Sequence, residues 1–133
     1  MARVSYLAKV CDRSKWAYPF EHACEAEGTG TVYLSGQPSM DLETGAFIDA
    51  PFKEQFLQCM KNLDAALEAS DCTRDDVIKV TVFLDDMKYF GELNAIYKEQ
   101  FNAPYPARSC FAVKGLPLGT KVEIEMIAQR SAK

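Results

Sequence analysis

The feature that most constrains the fold is a change in hydrophobic period along the chain. Apolar and polar residues alternate in several segments, as they do in strands, but between residues 49 and 70 the apolar residues recur every three to four positions. Phe56, Leu63 and Leu67 share that stripe, and Pro51 suits a first helical turn. The pattern predicts a long amphipathic helix set among strands.

The remaining segments predict an order of strands, helix, strand, helix and strands. The β-branched run at 77–84 is almost continuously apolar, which is typical of a strand buried on both faces. An apolar stripe at 87–101 predicts a second helix. The predicted strands lie at 2–10, 21–26, 31–35, 77–84, 106–113 and 121–129. This order favours an α+β fold with one sheet and two helices packed on one face.

Size and composition narrow the possible classes of protein. The 133 residues suit a single domain, and a formal charge of −4 does not favour a surface for nucleic acid or an anionic membrane. No stretch approaches the roughly 20 apolar residues of a membrane span. Five cysteines without a close pair, together with one histidine, indicate neither a disulfide framework nor a metal site. We expect a cytoplasmic protein.

Residues 106–129 contain the strongest candidates for chemistry. Two alternating segments flank a link rich in Gly and Pro, which predicts two strands brought together by a loop. In the first segment Arg108 and Cys110 share one face. In the second, Glu123 and Glu125 share one face, opposite an apolar face that requires a core.

The motif Pro106-Ala-Arg-Ser-Cys110, followed by Val122-Glu-Ile-Glu125, resembles the C-terminal signature of the Rid (YjgF, reactive-intermediate deaminase) family, in its RidA-like branch. The similarity extends upstream through 76–84, 94–101 and 35–37 to about Pro19, whereas residues 1–18 show none of it. The resemblance implies a chorismate-mutase-like fold with one mixed sheet. It also implies a cofactor-independent enzyme that forms a homotrimer, with its three clefts between subunits.

Three site residues follow from the C-terminal motif. The resemblance implies that Arg108 binds the substrate carboxylate and that Glu123 positions or activates water, with Cys110 at the same site. From the residues alone, Arg108 is equally consistent with a structural salt bridge to a glutamate, and Cys110 with a small apolar filler. Alternation alone favours a solvent-exposed position for Glu123. Cys110 is not expected to be a nucleophile, because no histidine is placed to generate a thiolate.

The resemblance adds Asn94, Ser35 and Phe20. An Asn on a helix and a Ser before Gly are otherwise typical cap or turn residues. Phe20 stands where the family usually has a tyrosine, so this chain lacks a hydroxyl there, and Tyr18 or His22 is a candidate to supply a polar group instead.

The resemblance therefore implies hydrolytic deamination of reactive enamine and imine acids, such as 2-aminoacrylate and 2-iminopropionate, to 2-keto acids and ammonia. One alternative is a trimer that binds small carboxylates without turning them over, which the altered segment at 18–22 keeps open. Another is a ribonuclease or translation inhibitor. The acidic charge and the absence of a histidine pair argue against that reading.

Overall fold

A computed structural model describes residues 2–131. Within these residues the chain forms six strands and two α-helices. They are β1 (Arg3–Tyr6), β2 (Ala23–Ala26), β3 (Thr31–Gln37), α1 (Phe52–Ala69), β4 (Val77–Leu84), α2 (Phe90–Tyr97), β5 (Ala107–Ala112) and β6 (Val122–Gln129). Neither helix is long and apolar enough to cross a membrane.

The six strands form one mixed sheet in the order β1-β2-β3-β6-β4-β5. All neighbours are antiparallel except β4 and β5, which are parallel. The expected α+β fold with one mixed sheet and two helices is confirmed. The expectation that the two C-terminal strands are brought together is wrong, because β4 lies between β5 and β6. The connection through α2 makes β5 a parallel partner of β4, and β6 then returns to the centre of the sheet.

The hydrophobic core lies between one face of the sheet and the two helices. Val122, Ile124 and Met126 of β6 are buried on that face, where Phe56 of α1 and Leu93 of α2 join the same cluster. Within residues 2–131 no helix covers the opposite face, which we call the open face. Tyr33 and Phe111 are more than half exposed there. The alternation along each strand therefore separates a core face from an unpartnered face.

Two sequence-based boundaries and one expected burial pattern change in the structure. The opening strand spans only Arg3–Tyr6 rather than 2–10, and β4 is fully buried only on its core face, since Thr81 and Phe83 on the open face are partly exposed. Helix α2 ends at Tyr97 instead of continuing to residue 101. Beyond Tyr97 the amides of Glu99 and Gln100 donate to the carbonyls three residues earlier, which makes a tighter, non-α-helical turn, and Arg74 donates hydrogen bonds to the main-chain and side-chain oxygens of Gln100.

Candidate functional site

The six residues implicated by sequence fall into two groups on opposite sides of the sheet. Arg108, Cys110 and Asn94 lie on the core side, where α2 crosses the edge strand β5. Glu123, Ser35 and Phe20 line a cleft on the open side. We refer to the first group, with Phe90 and Tyr97, as the arginine cluster and to the second as the glutamate cleft.

Strand register places Arg108 on the core face of the sheet. Arg108 and Cys110 pair with Val80 and Val82 of β4, both of which are fully buried under the helices. The Cζ atom of Arg108 lies 4.7 Å from the ring centroid of Tyr97 and 5.9 Å from that of Phe90. Within residues 2–131 no carboxylate comes within 4.0 Å of its guanidinium. The alternative reading of Arg108 as one half of a structural salt bridge therefore does not hold within the described chain.

Asn94 shares a helix face with the two rings, and Cys110 shares a strand face with Arg108. Phe90, Asn94 and Tyr97 are four and three residues apart on α2, so they share one helix face, and both rings of that face contact Arg108. Cys110 is partly buried against the core, and its burial raises the pKa of the thiol, although Arg108 acts in the opposite direction. A thiol with a raised pKa is poorly suited to nucleophilic attack at neutral pH, which agrees with the expectation from sequence.

The glutamate cleft is a groove of about 410 Å³ at the open side of β3 and β6. Its walls are mostly apolar and include Tyr18, Phe20, Met40 and Leu118, and Glu123 supplies a partly buried carboxylate. Burial raises the pKa of Glu123, and the negative charge of Glu125 raises it further. A carboxylate with a raised pKa and no cationic partner in residues 2–131 is a suitable proton acceptor.

Gly36 makes room for the Glu123 carboxyl group. A Cβ atom at position 36 would lie 3.1 Å from both Cδ and Oε2 of Glu123. These distances are shorter than ordinary van der Waals contacts, so any larger residue would push the carboxyl group away from β3. The absence of a side chain at this position therefore helps to set where the carboxylate lies.

Ser35 and Phe20 are fixed by the segment that precedes β2. The hydroxyl of Ser35 donates a hydrogen bond of 2.6 Å to the carbonyl of Glu21. Phe20 packs at the edge of the Trp16 ring, with centroids 5.7 Å apart, and remains 43% exposed on the cleft side. Ser35 thus joins the wall containing Phe20 to β3.

Of the two candidates for a replacement polar group, Tyr18 lines the cleft and His22 does not. His22 is fully buried, and its Nδ1 accepts a hydrogen bond of 2.8 Å from the amide of Ala8. The suggestion that His22 supplies a polar group to the cleft is therefore wrong. The imidazole instead ties the N-terminal segment to the sheet.

This buried imidazole should make stability depend on pH. Burial lowers the pKa of His22, so the unfolded chain binds a proton more readily than the folded one. The stabilisation is complete above about pH 6.5 and declines as the pH falls below that value, toward the lowered pKa of the folded state. We expect the free energy of unfolding to fall by up to about 1 kcal/mol between pH 7 and 5.5 in denaturant titrations. His22→Asn, which retains an acceptor for the Ala8 amide, should flatten this dependence. An unchanged slope in the variant would contradict the assignment.

The arginine cluster and the glutamate cleft do not converge within one chain. Glu123 pairs with Phe83 of β4, which in turn pairs with Phe111, so all three side chains lie on the open face. Arg108 points to the other face from β5, two strand spacings or about 10 Å from β6. One small molecule cannot contact both groups across the sheet.

Sequence reasoning missed the contacts that surround Arg108 and Glu123. Phe90 and Tyr97 were assigned to the apolar stripe of a helix, but both rings also face the guanidinium. Leu118 was an unremarked loop residue, yet it lines the cleft with a φ of 61°, which is unusual for a residue with a side chain. The signal available for Phe90 and Tyr97 was their seven-residue spacing on a helix that precedes the strand of Arg108.

Within residues 2–131 no group of three or more His, Cys, Asp or Glu side chains is arranged to hold a metal ion.

Comparison with known proteins identifies the family. The family model described as Endoribonuclease L-PSP, to which the YjgF and Rid proteins belong, matches residues 13–130. The chain belongs to this family. It is 42% identical to the RutC family protein UK114 of Drosophila melanogaster over 125 residues, which are 94% of this chain and 89% of that protein.

Two further relatives support the same assignment. A Mus musculus protein named 2-iminobutanoate/2-iminopropanoate deaminase is 40% identical over 110 residues, covering 83% of this chain and 80% of its own length. The crystal structure of yeast Mmf1 superposes with a TM-score of 0.87 at 32% identity and covers 98% of this chain and 100% of its own. The Rid resemblance drawn from the C-terminal motif is confirmed.

Proposed function

We propose that this Rid-family protein hydrolyses small reactive imine acids to 2-keto acids and ammonia, without a cofactor. The observation that carries the proposal is the environment of Arg108, whose guanidinium has two aromatic rings but, within residues 2–131, no carboxylate beside it. An arginine in this state is available to a ligand carboxylate through two parallel charge-assisted hydrogen bonds. Relatives at about 40% identity that are named as imine deaminases support the same reaction class.

The chemical step needs a base and a water molecule. Glu123 removes a proton from water as the oxygen forms a bond to the C=N carbon, which gives a tetrahedral carbinolamine. Glu123 passes this proton to the nitrogen and then transfers the hydroxyl proton of the carbinolamine to the same nitrogen, so that the C–N bond breaks, ammonia leaves and the C=O bond forms. The net change is one imine acid plus one water to one 2-keto acid plus one ammonia. The raised pKa of Glu123 suits a group that must both accept and return a proton.

We further propose that two copies of the chain complete each site within a homotrimer. The arginine cluster and the glutamate cleft lie on opposite faces of one sheet, so they meet only if Arg108 of one copy lies against Glu123 of another. The open face also exposes Tyr33 and Phe111, which an assembly would cover. Light scattering coupled to size exclusion should give three chain masses, and a monomer would contradict this part of the proposal.

The wild-type reaction itself is tested by supplying the imine in situ. A serine or cysteine dehydratase releases 2-aminoacrylate, and the 2-keto acid and ammonia are followed with and without this protein. Acceleration over the spontaneous rate supports the proposal. No acceleration combined with saturable binding of 2-ketobutyrate would instead favour a carboxylate-binding protein. The structural reason to consider this alternative is that Phe20 stands where the family usually has a tyrosine.

The family description also names an endoribonuclease. The only histidine of the chain is His22, which is 0% exposed and cannot reach RNA as a general acid or base. RNA cleavage by purified protein that is unaffected by Arg108→Ala would reopen that activity.

All five cysteines are free, which is compatible with a reducing compartment, and we retain a cytoplasmic location within the proposal.

A further inference from the structure

We infer that Tyr97, with Phe90, is a positioning residue whose aromatic ring holds the guanidinium of Arg108 and leaves its N–H donors free for a ligand carboxylate. This inference rests on the proposed function of Arg108. Both rings lie within the roughly 6 Å over which a cation interacts with an aromatic face, at 4.7 Å for Tyr97 and 5.9 Å for Phe90. Tyr97 is 7% exposed and Phe90 37% exposed, so one ring is anchored in the core and the other lies at the rim.

The kind of contact matters because it decides how many N–H donors of Arg108 remain free to bind the ligand. A guanidinium has five N–H donors in its plane, and a neighbouring carboxylate would occupy two of them and compete with the substrate. An aromatic face attracts the positive charge without accepting those hydrogen bonds. Within residues 2–131 the side chain of Arg108 makes neither an ion pair nor a hydrogen bond. The rings therefore restrict the guanidinium while its donors stay available.

The fold explains why these rings meet this arginine. The chain between the parallel strands β4 and β5 contains α2, whose Phe90 and Tyr97 rings contact Arg108 of β5. Phe90 and Tyr97 are seven residues apart on the helix face that lies over Arg108. The hydroxyl of Tyr97 is buried and has no hydrogen-bond partner in the described residues. Burial raises the pKa of Tyr97 to about 12, so the ring stays neutral at physiological pH. The ring, and not the hydroxyl, is the part of Tyr97 that acts on Arg108.

The experiment compares Tyr97→Leu with Tyr97→Phe. The first removes the aromatic face, and the second keeps it and removes only the hydroxyl. For Tyr97→Leu we expect KM in the dehydratase-coupled assay, and the Kd for 2-ketobutyrate by calorimetry, to rise about 5- to 30-fold, with a smaller change in kcat. Tyr97→Phe should keep values close to wild type.

Phe101→Leu provides the matched control. Phe101 is a buried ring near the end of the same segment and packs against Tyr97, with centroids 5.4 Å apart, but no cation contact with Arg108 is present for this ring. Both leucine variants lose a comparable amount of core packing, so thermal unfolding should shift to a similar extent. Only Tyr97→Leu should weaken ligand binding when all variants are assayed well below their unfolding temperatures. If Tyr97→Leu does not fold, Phe90→Leu at the more exposed ring takes its place.

The outcomes separate this inference from the proposed function. Wild-type turnover with an unchanged KM in Tyr97→Leu would overturn the positioning role and leave the deaminase intact. Equal losses in Tyr97→Leu and Tyr97→Phe would assign the effect to the hydroxyl and overturn it as well. Equal KM changes in Tyr97→Leu and Phe101→Leu would show a packing effect only. A wild-type protein that neither binds 2-ketobutyrate nor accelerates imine hydrolysis would overturn the proposed function itself.

Discussion

Arg108→Ala is expected to lower kcat/KM for imine hydrolysis roughly 100- to 1,000-fold. Removing one partner of a desolvated, hydrogen-bonded charge pair costs about 3–4 kcal/mol, which corresponds to that loss in rate. The effect on folding should be small, because Arg108 is partly exposed and no ion pair within residues 2–131 depends on it. Steady-state kinetics with the dehydratase-generated imine, together with thermal unfolding, measures both quantities.

Two further variants test whether the loss of activity comes from the loss of positive charge or from the loss of the guanidinium at position 108. Arg108→Lys keeps the charge but not the planar fork of donors, so it should recover only part of the activity. Lys114→Ala removes one positive charge from the exposed segment just after β5 and should leave turnover unchanged. A folded Arg108→Ala variant with full activity would remove Arg108 from the mechanism.

Glu123→Gln is expected to lower kcat about 100- to 10,000-fold, because the amide cannot accept a proton from water. The pH dependence of the wild-type enzyme should report the same group. Glu123 must be deprotonated to act as a base, so kcat falls as the pH falls through its pKa, which burial and Glu125 raise above the ordinary 4.5. The acidic limb of the wild-type profile should therefore lie above pH 4.5.

Glu125→Gln is the matched control for Glu123. It removes the exposed carboxylate two residues away that lines the same cleft, and the plateau value of kcat should change far less than in Glu123→Gln. Because the charge of Glu125 raises the pKa of Glu123, the acidic limb should move to lower pH in this variant. A profile with no acidic limb above pH 4.5 in wild type, or full activity in Glu123→Gln, would contradict the assignment of the base.

Mixing the two inactive variants tests whether sites are shared between chains. In the proposed trimer, an assembly that contains both Arg108→Ala and Glu123→Gln chains would bring the intact Arg108 of one chain to the intact Glu123 of another at one of the three sites. Activity should therefore reappear after the variants are unfolded and refolded together. If mixing restores nothing while mixed trimers form, both groups act from the same chain and the shared site is wrong.

The sequence predicts which residues share one face of a strand better than it predicts which strands are neighbours in the sheet. Alternation alone put Arg108 with Cys110 and Glu123 with Glu125, and register confirms both pairs. A strand's own period does not say which of the two sheet faces a residue takes, nor which strand lies beside it. Strand, helix and strand at 77–112 is, however, the pattern of a parallel pair with a crossover, and it would have predicted β4 and β5 as parallel neighbours, although not the place of β6.

The C-terminal end of α2 could not be predicted from the local sequence, for a different reason. The apolar stripe continues to Phe101, which is indeed buried, so periodicity predicts a helix that long. The structure ends the helix at Tyr97, after which Glu99 and Gln100 make three-residue hydrogen bonds, and Arg74, distant in sequence, binds the oxygens of Gln100. The contacts of Tyr97 with Arg108 likewise depend on how α2 crosses the sheet. Such contacts require the tertiary arrangement of elements whose individual positions the sequence predicts well.

The positions of β5 and β6 in the sheet should give the two functional groups different mobility. β6 is hydrogen-bonded to β3 and β4, whereas β5 has β4 as its one neighbour in the described sheet. Amides around Glu123 should exchange with deuterium mainly through global unfolding, and those around Arg108 through less costly local opening. A bound 2-keto acid should slow exchange chiefly in β5. The proton-transferring group would thus remain fixed while the anion-binding strand adapts to ligands of different size.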